Sequence, residues 1–191
     1  MSVDALVRRM LSQASQVTVS AMKLGKLSET EKKMLTLGAE RLGGLSMWLT
    51  TDVVSTTQLE AALDVYTPGT LGLVVVDYLQ LMKPAETMRD SRARVEAVSE
   101  ELKRLSVRFD LPFLVLSSLR RPERATPNWR PTNADLRESG ELEHDADAIL
   151  LLHREPDGDI LEVDLSKQRD GSIGKVTLGF HGATVSFTEG K

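Results

Sequence analysis

The sequence has no cysteine and few aromatic residues, and both absences limit what the chain can be. Without cysteine among its 191 residues, it forms neither a disulfide scaffold nor a zinc site built on thiolates. Aromatic residues make up 4% of the chain, too few for a nucleic-acid surface that depends mainly on ring stacking. The net charge of −4 gives no overall attraction to nucleic acid, so binding of that kind requires a local basic patch.

No apolar run is long enough to span a bilayer. The N-terminal segment lacks the uninterrupted apolar region of a signal peptide, because Asp4, Arg8 and Arg9 interrupt its apolar residues. We therefore expect a cytoplasmic protein that does not enter a membrane. With 41% hydrophobic and 27% charged residues, the composition is that of a globular chain, and its length suits a single domain over residues 1–191.

Local patterns predict helices and strands in alternation along most of the chain. Capping residues and helical spacing predict helices after Ser2, after Ser28, from Thr57 to about Tyr66, through 95–109 and over 133–145. Short apolar runs predict strands at 46–50, 71–77, 112–117 and 148–152. Period-two alternation with turn signals predicts an antiparallel meander over 160–187.

Continuous apolar runs such as 71–77 and 148–152 are typical of strands that are buried on both faces of a parallel sheet. With helices between such strands, the sequence predicts an α/β fold with a mainly parallel sheet and antiparallel strands at its C-terminal end. Ligands of these folds bind beyond the carboxyl ends of the strands, so residues that follow strands are the first candidates for a site.

Asp77 follows the apolar run 71–76 directly. An acid in this position can hold a hydrated Mg²⁺ against nucleotide phosphates. A solvated strand end is the alternative interpretation, and the residue pattern alone does not separate the two. The three histidines show no metal-ligand spacing.

Lys167 and Arg169 lie two residues apart on a predicted strand, so their side chains project to the same side. Two cations placed together suit phosphate recognition, and a guanidinium can donate hydrogen bonds to two phosphate oxygens at once. From the residues alone, the polar face of a surface hairpin is the favoured interpretation of the pair.

Basic residues are also concentrated between 119 and 140. Arg120, Arg121, Arg124 and Arg130 crowd one predicted loop and could neutralise nucleic-acid phosphates. Arg137, Glu138 and Gly140 follow, and a glycine beside a cation lets a phosphate approach the backbone closely. A solvated loop and a helix end are the structural alternatives.

Three segments resemble the RecA-like motor domain of DnaB-type replicative helicases. They are LVVVDYLQLM at 73–82, RPTNADLRESGELEHDAD at 130–147 and KQRDG at 167–171. They occur in the order of that family and at about its spacing, and the likeness covers nearly the whole chain. The resemblance implies a three-layer α/β fold, a hexameric ring, and unwinding of DNA in the 5′-to-3′ direction coupled to ATP hydrolysis with Mg²⁺.

The resemblance also implies a role for each candidate residue. Asp77 would organise Mg²⁺ and water as a catalytic and metal-binding acid. Lys167 and Arg169 would act in the nucleotide site of the neighbouring subunit, Arg169 as its arginine finger. Arg137, Glu138 and Gly140, with Arg120 and Arg121 nearby, would contact single-stranded DNA. A primase and a helicase loader would be the protein partners.

Two departures from the family pattern stand out. No Gly-x-x-x-x-Gly-Lys-[Ser/Thr] phosphate-binding loop is present, and Ser118 occupies the place where the family carries a glutamine that senses the γ-phosphate. The resemblance places the missing loop and a catalytic glutamate upstream of this sequence, and the strand of that loop between the strands at 113–117 and 148–152. We therefore expect an N-terminally incomplete domain with open sheet edges, a tendency to associate, and no ATP hydrolysis by the chain alone.

These observations leave two main hypotheses for the function. The first is a piece of an ATP-dependent replicative helicase that is inactive by itself. The second is a degenerate, non-catalytic relative that binds DNA or regulates helicase subunits, which the serine at position 118 favours. A RecA-type recombinase is a weaker alternative, because the Arg-Glu-Ser-Gly element argues against it.

Overall fold

The computed structural model describes residues 2–120, 129–136, 140–156 and 158–190. The chain forms two compact units. The first unit comprises Met1–Thr51, Arg154–Val163 and Val176–Lys191, and the second comprises Asp52–His153 and Asp164–Lys175. No helix in the described ranges has the length and apolar character needed to cross a bilayer.

Helices α1 (Val3–Ser15), α2 (Val19–Leu24) and α3 (Glu29–Gly43) belong to the first unit. Ser2 caps α1 by accepting a hydrogen bond from the Ala5 N–H. Ser28 and Glu31 form the capping box that the sequence predicts for α3. Helices α1 and α3 pack against each other, and the buried residues of α1 are Ser12 and Ser15, whereas Val7 of its apolar stripe is exposed.

The core of the second unit lies against α5 (Ser91–Phe109), whose apolar face is almost completely buried. The spacing of these residues at three and four positions explains the long helix, which the sequence predicts correctly. The same core includes residues from α4 (Thr56–Leu63), from the first strand and from the turn after it: Leu59, Leu63, Val76, Leu79 and Met82.

The strands form two sheets. Strands β1 (Val74–Val76) and β2 (Phe113–Val115) are parallel, with Val75 opposite Leu114. The second sheet has the order β3 (Ala148–His153), β4 (Ile160–Gln168), β5 (Gly174–His181) and β6 (Ser186–Glu189). Strands β5 and β6 are antiparallel, as predicted for the end of the chain. Within the described residues no ladder joins the two sheets.

The prediction that the apolar strands are buried on both faces is wrong for this chain. Val76 faces the core and is 7% exposed, whereas Val75 is 55% exposed. Leu114 on β2 and Leu150 on β3 are also exposed. On β1 and β3 the alternate residues Val76, Ile149 and Leu151 are buried, so among the described residues each of these strands has one buried face and one exposed face.

Other element predictions need correction. The predicted strand at 46–50 is not formed in the described structure. Met47 and Trp48 within this segment are exposed, so burial does not stabilise a strand there. The helix expected after Thr57 begins after Ser55, whose hydroxyl caps Gln58 N–H, and it ends at Leu63. The stretch 133–145 is not one helix, since it divides into a short 3-10 turn at Asn133–Asp135 and α6 (Glu141–Asp145).

Candidate functional site

Asp77 lies at the carboxyl end of β1, where the sequence predicts a functional acid. Its neighbour Val76 is buried, whereas Asp77 is exposed. Its carboxylate accepts no hydrogen bond from any residue that the structure describes. The core therefore fixes the backbone at this point while the carboxylate stays available to a ligand.

The ends of β1 and β2 are tied together, which places Ser118 beside the Asp77 segment. The Leu116 N–H donates to the Val76 carbonyl at 2.9 Å, and the Leu79 N–H donates to the Leu116 carbonyl at 2.8 Å. Two of the residues singled out from the sequence, Asp77 and Ser118, thus follow neighbouring parallel strands. Their roles in catalysis and sensing stay predictions.

Gln80 connects these two strand ends, and sequence reasoning assigned it no role. Its amide nitrogen donates to the Ser117 hydroxyl at 2.9 Å, and its carbonyl oxygen accepts from the Ser118 N–H at 3.2 Å. The only signal in the sequence was its place within the segment 73–82. The glutamine side chain fixes the backbone of Ser118 relative to the segment that carries Asp77.

The loop that begins after Ser118 is closed at its base. Leu119 and Leu136 form an antiparallel bridge, and the Arg120 N–H donates to the Asp135 carbonyl at 2.7 Å. The Arg120 side chain is exposed, as DNA binding would require. Arg121, Arg137 and Glu138, together with Arg124, lie outside the described residues.

Gly140 is the one described member of the predicted Arg-Glu-Ser-Gly contact. It precedes α6 with φ −68° and ψ −19°, a conformation open to any residue. A β-carbon at this position would meet nothing within 4 Å. Among the described residues the fold therefore gives no steric reason for glycine at 140, and its role in DNA binding stays a prediction.

Lys167 and Arg169 are brought together as predicted. The Lys167 ammonium donates to the Glu143 carbonyl and, at 3.4 Å, to the His144 carbonyl. The Arg169 guanidinium donates to the same His144 carbonyl at 3.3 Å. Both cations are thus held at the C-terminal end of α6, where free carbonyl groups carry partial negative charge.

Asp147 and Lys103 complete this cluster and were missed by sequence reasoning. Asp147 accepts from Lys103 Nζ at 2.6 Å through one oxygen and pairs with Arg169 Nη1 at 3.1 Å through the other. The hydrogen bond from Lys103 is the main cause that holds the pKa of Asp147 below its usual value, and the charges of Lys103, Arg169 and Lys167 lower it further. Asp147 therefore remains a carboxylate at neutral pH.

The arrangement suits phosphate more than a metal ion bound by protein alone. No group of three or more His, Asp or Glu side chains in the described ranges could hold a metal. Asp77 supplies a single carboxylate, which fits a Mg²⁺ ion that keeps water and phosphate oxygens as its other ligands. No hydrogen bond or ion pair joins Asp77 to the Lys167 and Arg169 cluster among the described residues.

Comparison with protein families gives one match over almost the whole chain. The family described as DnaB-like helicase C terminal domain matches residues 1–189. The replicative DNA helicase DnaC of Bacillus subtilis is 30% identical over 190 residues, which cover 94% of this chain and 42% of that helicase. DnaB of Haemophilus influenzae is 39% identical over 127 residues, 62% of this chain and 27% of that helicase. The chain thus spans less than half the length of these relatives.

Solved structures give the same result for the fold. A DnaB-like replicative helicase that was studied for its interactions with primase superimposes with a TM-score of 0.91 and 25% identity, covering 100% of this chain and 50% of that chain. An ATPase domain superimposes with the same TM-score and identity and covers 100% of this chain and 72% of that chain.

Proposed function

Because the chain belongs to the DnaB-like helicase C-terminal domain family, we propose that it acts as part of the motor of a replicative DNA helicase. In this role Lys167 and Arg169 contact the nucleotide of a neighbouring subunit, and the segment around Arg120 and Gly140 contacts single-stranded DNA. Asp77 contributes the acid that orders Mg²⁺ and water at the chain's own strand end.

The observation that supports this proposal most strongly is the placement of the two cations. Lys167 and Arg169 both donate to the His144 carbonyl, and the Arg169 side chain is 53% exposed. Two adjacent cations with free donors are suited to phosphate oxygens. In phosphoryl transfer such an arginine stabilises the charge that develops on the transferred group, which is worth roughly 10³ to 10⁵ in rate.

We further propose that this chain does not hydrolyse ATP by itself. Triphosphate binding in this class of ATPase depends on backbone N–H groups and a lysine of a glycine-rich loop, and no such loop is present in the sequence. A lone carboxylate at position 77 repels a triphosphate unless Mg²⁺ is held between them. Calorimetric titration of the chain with Mg²⁺ and ATP is expected to give no binding below millimolar concentration, and micromolar affinity would contradict the proposal.

The motor role is tested by mixing the chain with an intact DnaB-type helicase. Co-assembly is measured by analytical ultracentrifugation and ATP hydrolysis by phosphate release. We expect mixed rings whose hydrolysis depends on this chain's Arg169, so that Arg169→Ala lowers the rate in mixed rings. Arg92→Ala, which removes an exposed cation paired with Glu96 on α5, serves as the matched control. Failure to co-assemble, or equal rates with wild type and Arg169→Ala, would contradict the role.

A second candidate function is regulation of helicase subunits without catalysis. Ser118 favours it, because a serine hydroxyl is too short to span the distance covered by the glutamine of the family. Under this hypothesis mixed rings form but hydrolyse ATP more slowly than intact rings, and Ser118→Gln restores part of the rate. Under the motor hypothesis the substitution leaves the rate of mixed rings unchanged.

The remaining partners follow from the proposed family role. We propose that the chain assembles into a hexameric ring, works in the cytoplasm, and contacts a primase and a helicase loader through the ring. Support comes from the family membership and, for primase, from a solved relative that was studied for its interactions with primase.

A further inference from the structure

Two different acceptors contact the two terminal nitrogens of the Arg169 guanidinium. Nη1 pairs with an Asp147 carboxylate oxygen at 3.1 Å, and Nη2 donates to the His144 carbonyl at 3.3 Å. The Arg169 backbone N–H also donates to the Asp147 carbonyl at 2.8 Å. Asp147 therefore fixes both the backbone and the side chain of this arginine.

Asp147 is itself held by a residue of α5. Lys103 Nζ lies 2.6 Å from the second carboxylate oxygen of Asp147. On α5, Lys103 directly follows Leu102, and Leu102 is only 3% exposed. The order of contacts runs from α5, whose apolar face is buried, to Lys103, then to Asp147, then to Arg169. A long arginine side chain has many rotamers, and this series of contacts restricts them before any ligand arrives.

The charges explain why a lysine is useful at position 103. An aspartate that contacted Arg169 alone would neutralise it and weaken its attraction for phosphate. Lys103 compensates the carboxylate, so that Lys167 and Arg169 keep an excess of positive charge. The guanidinium has five N–H donors, and only part of them is used by Asp147 and His144.

We propose that Asp147, anchored by Lys103, is a positioning residue that orients Arg169 for the phosphate of a neighbouring subunit. This inference rests on the proposed motor function. Asp147 and Lys103 do not touch the nucleotide; they set the direction from which Arg169 reaches it.

The orientation is measured in the chain alone by side-chain nitrogen NMR of arginine. In wild type we expect slow rotation of the Arg169 guanidinium and resolved Nη signals, assigned with Arg169→Lys. Asp147→Asn removes the charge and keeps the size, and it is expected to speed rotation at least tenfold and merge the signals. Asp147→Glu is expected to restore slow rotation in part, and the signals of Arg92 serve as an internal control. Equal rotation in wild type and Asp147→Asn would overturn the inference.

Hydrolysis by mixed rings separates this inference from the function on which it rests. Asp147→Asn is expected to lower kcat by about 10-fold to 100-fold, as small errors in position do, with KM nearly unchanged, while Lys103→Met lowers it less. If Arg169→Ala has no effect on mixed rings, the motor function fails while the NMR result still decides the positioning. If Arg169→Ala lowers kcat and Asp147→Asn does not, the positioning role is wrong.

Discussion

Gly38 of α3 lies so close to Ser15 of α1 that a β-carbon built on it would come within 2.8 Å of Ser15 Cβ and 3.0 Å of Ser15 N. Both residues are buried, and the Ser15 hydroxyl already donates to the Leu11 carbonyl within its own helix. The two helices therefore approach at this point only because residue 38 has no side chain.

Gly38→Ala is expected to destabilise the chain in spite of the better helix propensity of alanine. Propensity contributes about 1 kcal/mol in favour of alanine, whereas forcing helices apart costs about 1–3 kcal/mol. We expect a net loss in the free energy of unfolding, measured by urea denaturation. Gly43→Ala at the end of the same helix, where a β-carbon meets nothing within 4 Å, is the control and should not lower stability. Equal stability of the two variants would contradict the packing argument.

Gly140→Ala is expected to leave stability nearly unchanged, because position 140 has room for a side chain. The change in the free energy of unfolding should stay within about 0.5 kcal/mol, as for other open surface sites. Affinity for a single-stranded oligonucleotide should fall about tenfold, the size expected when one hydrogen bond to a charged group is lost. Fluorescence anisotropy at fixed salt checks this. Unchanged affinity would remove Gly140 from the DNA interface.

Gln80→Ala is expected to lower stability by about 1–2 kcal/mol, because the partly buried Ser118 N–H and Ser117 hydroxyl lose their partner. Gln80→Glu keeps an acceptor for the Ser118 N–H and should cost less. Urea denaturation of the two variants gives the comparison. A loss of the same size in both would mean that the side chain acts through packing and not through these hydrogen bonds.

The sequence was most informative where a local motif carries the signal. The resemblance to DnaB-type helicases and the RecA-like fold are confirmed, as is the capping box at Ser28, because the cap depends on residues only a few positions apart. Asp77 follows a strand because apolar β-branched residues precede it. The single domain over 1–191 and the roles of the site residues stay predictions.

The failures occur where a local sequence pattern is weak or where the outcome depends on residues that are distant in the sequence. Met47, Trp48 and Leu49 are apolar, but the segment 46–50 forms no strand in the described structure. Helix α2 is short, with only six residues, and gives little periodic signal. Lys103 and Asp147 are 44 positions apart, so no local pattern could join them. Their contact forms because Asp147 lies two residues after α6, which packs against α5 in the fold.

The uncovered face of β1 and β2 carries apolar side chains that a parallel sheet ordinarily buries. Val75 and Leu114 lie opposite each other in the ladder and are 55% and 48% exposed. Leu73 and Leu116, which flank the two strands, are exposed as well. A patch of this kind favours association in water.

We therefore expect the isolated chain to associate as its concentration rises, with a mass by light scattering above the 21.1 kDa of one chain. Val75→Thr keeps the shape and adds a hydroxyl on the exposed face, so it should reduce association without loss of stability. Val76→Thr places the same hydroxyl at a position that is 7% exposed, where an unpaired polar group costs about 1–3 kcal/mol, and it should destabilise the chain. A monomer that persists at high concentration, or equal behaviour of the two threonine variants, would show that this face is covered in solution.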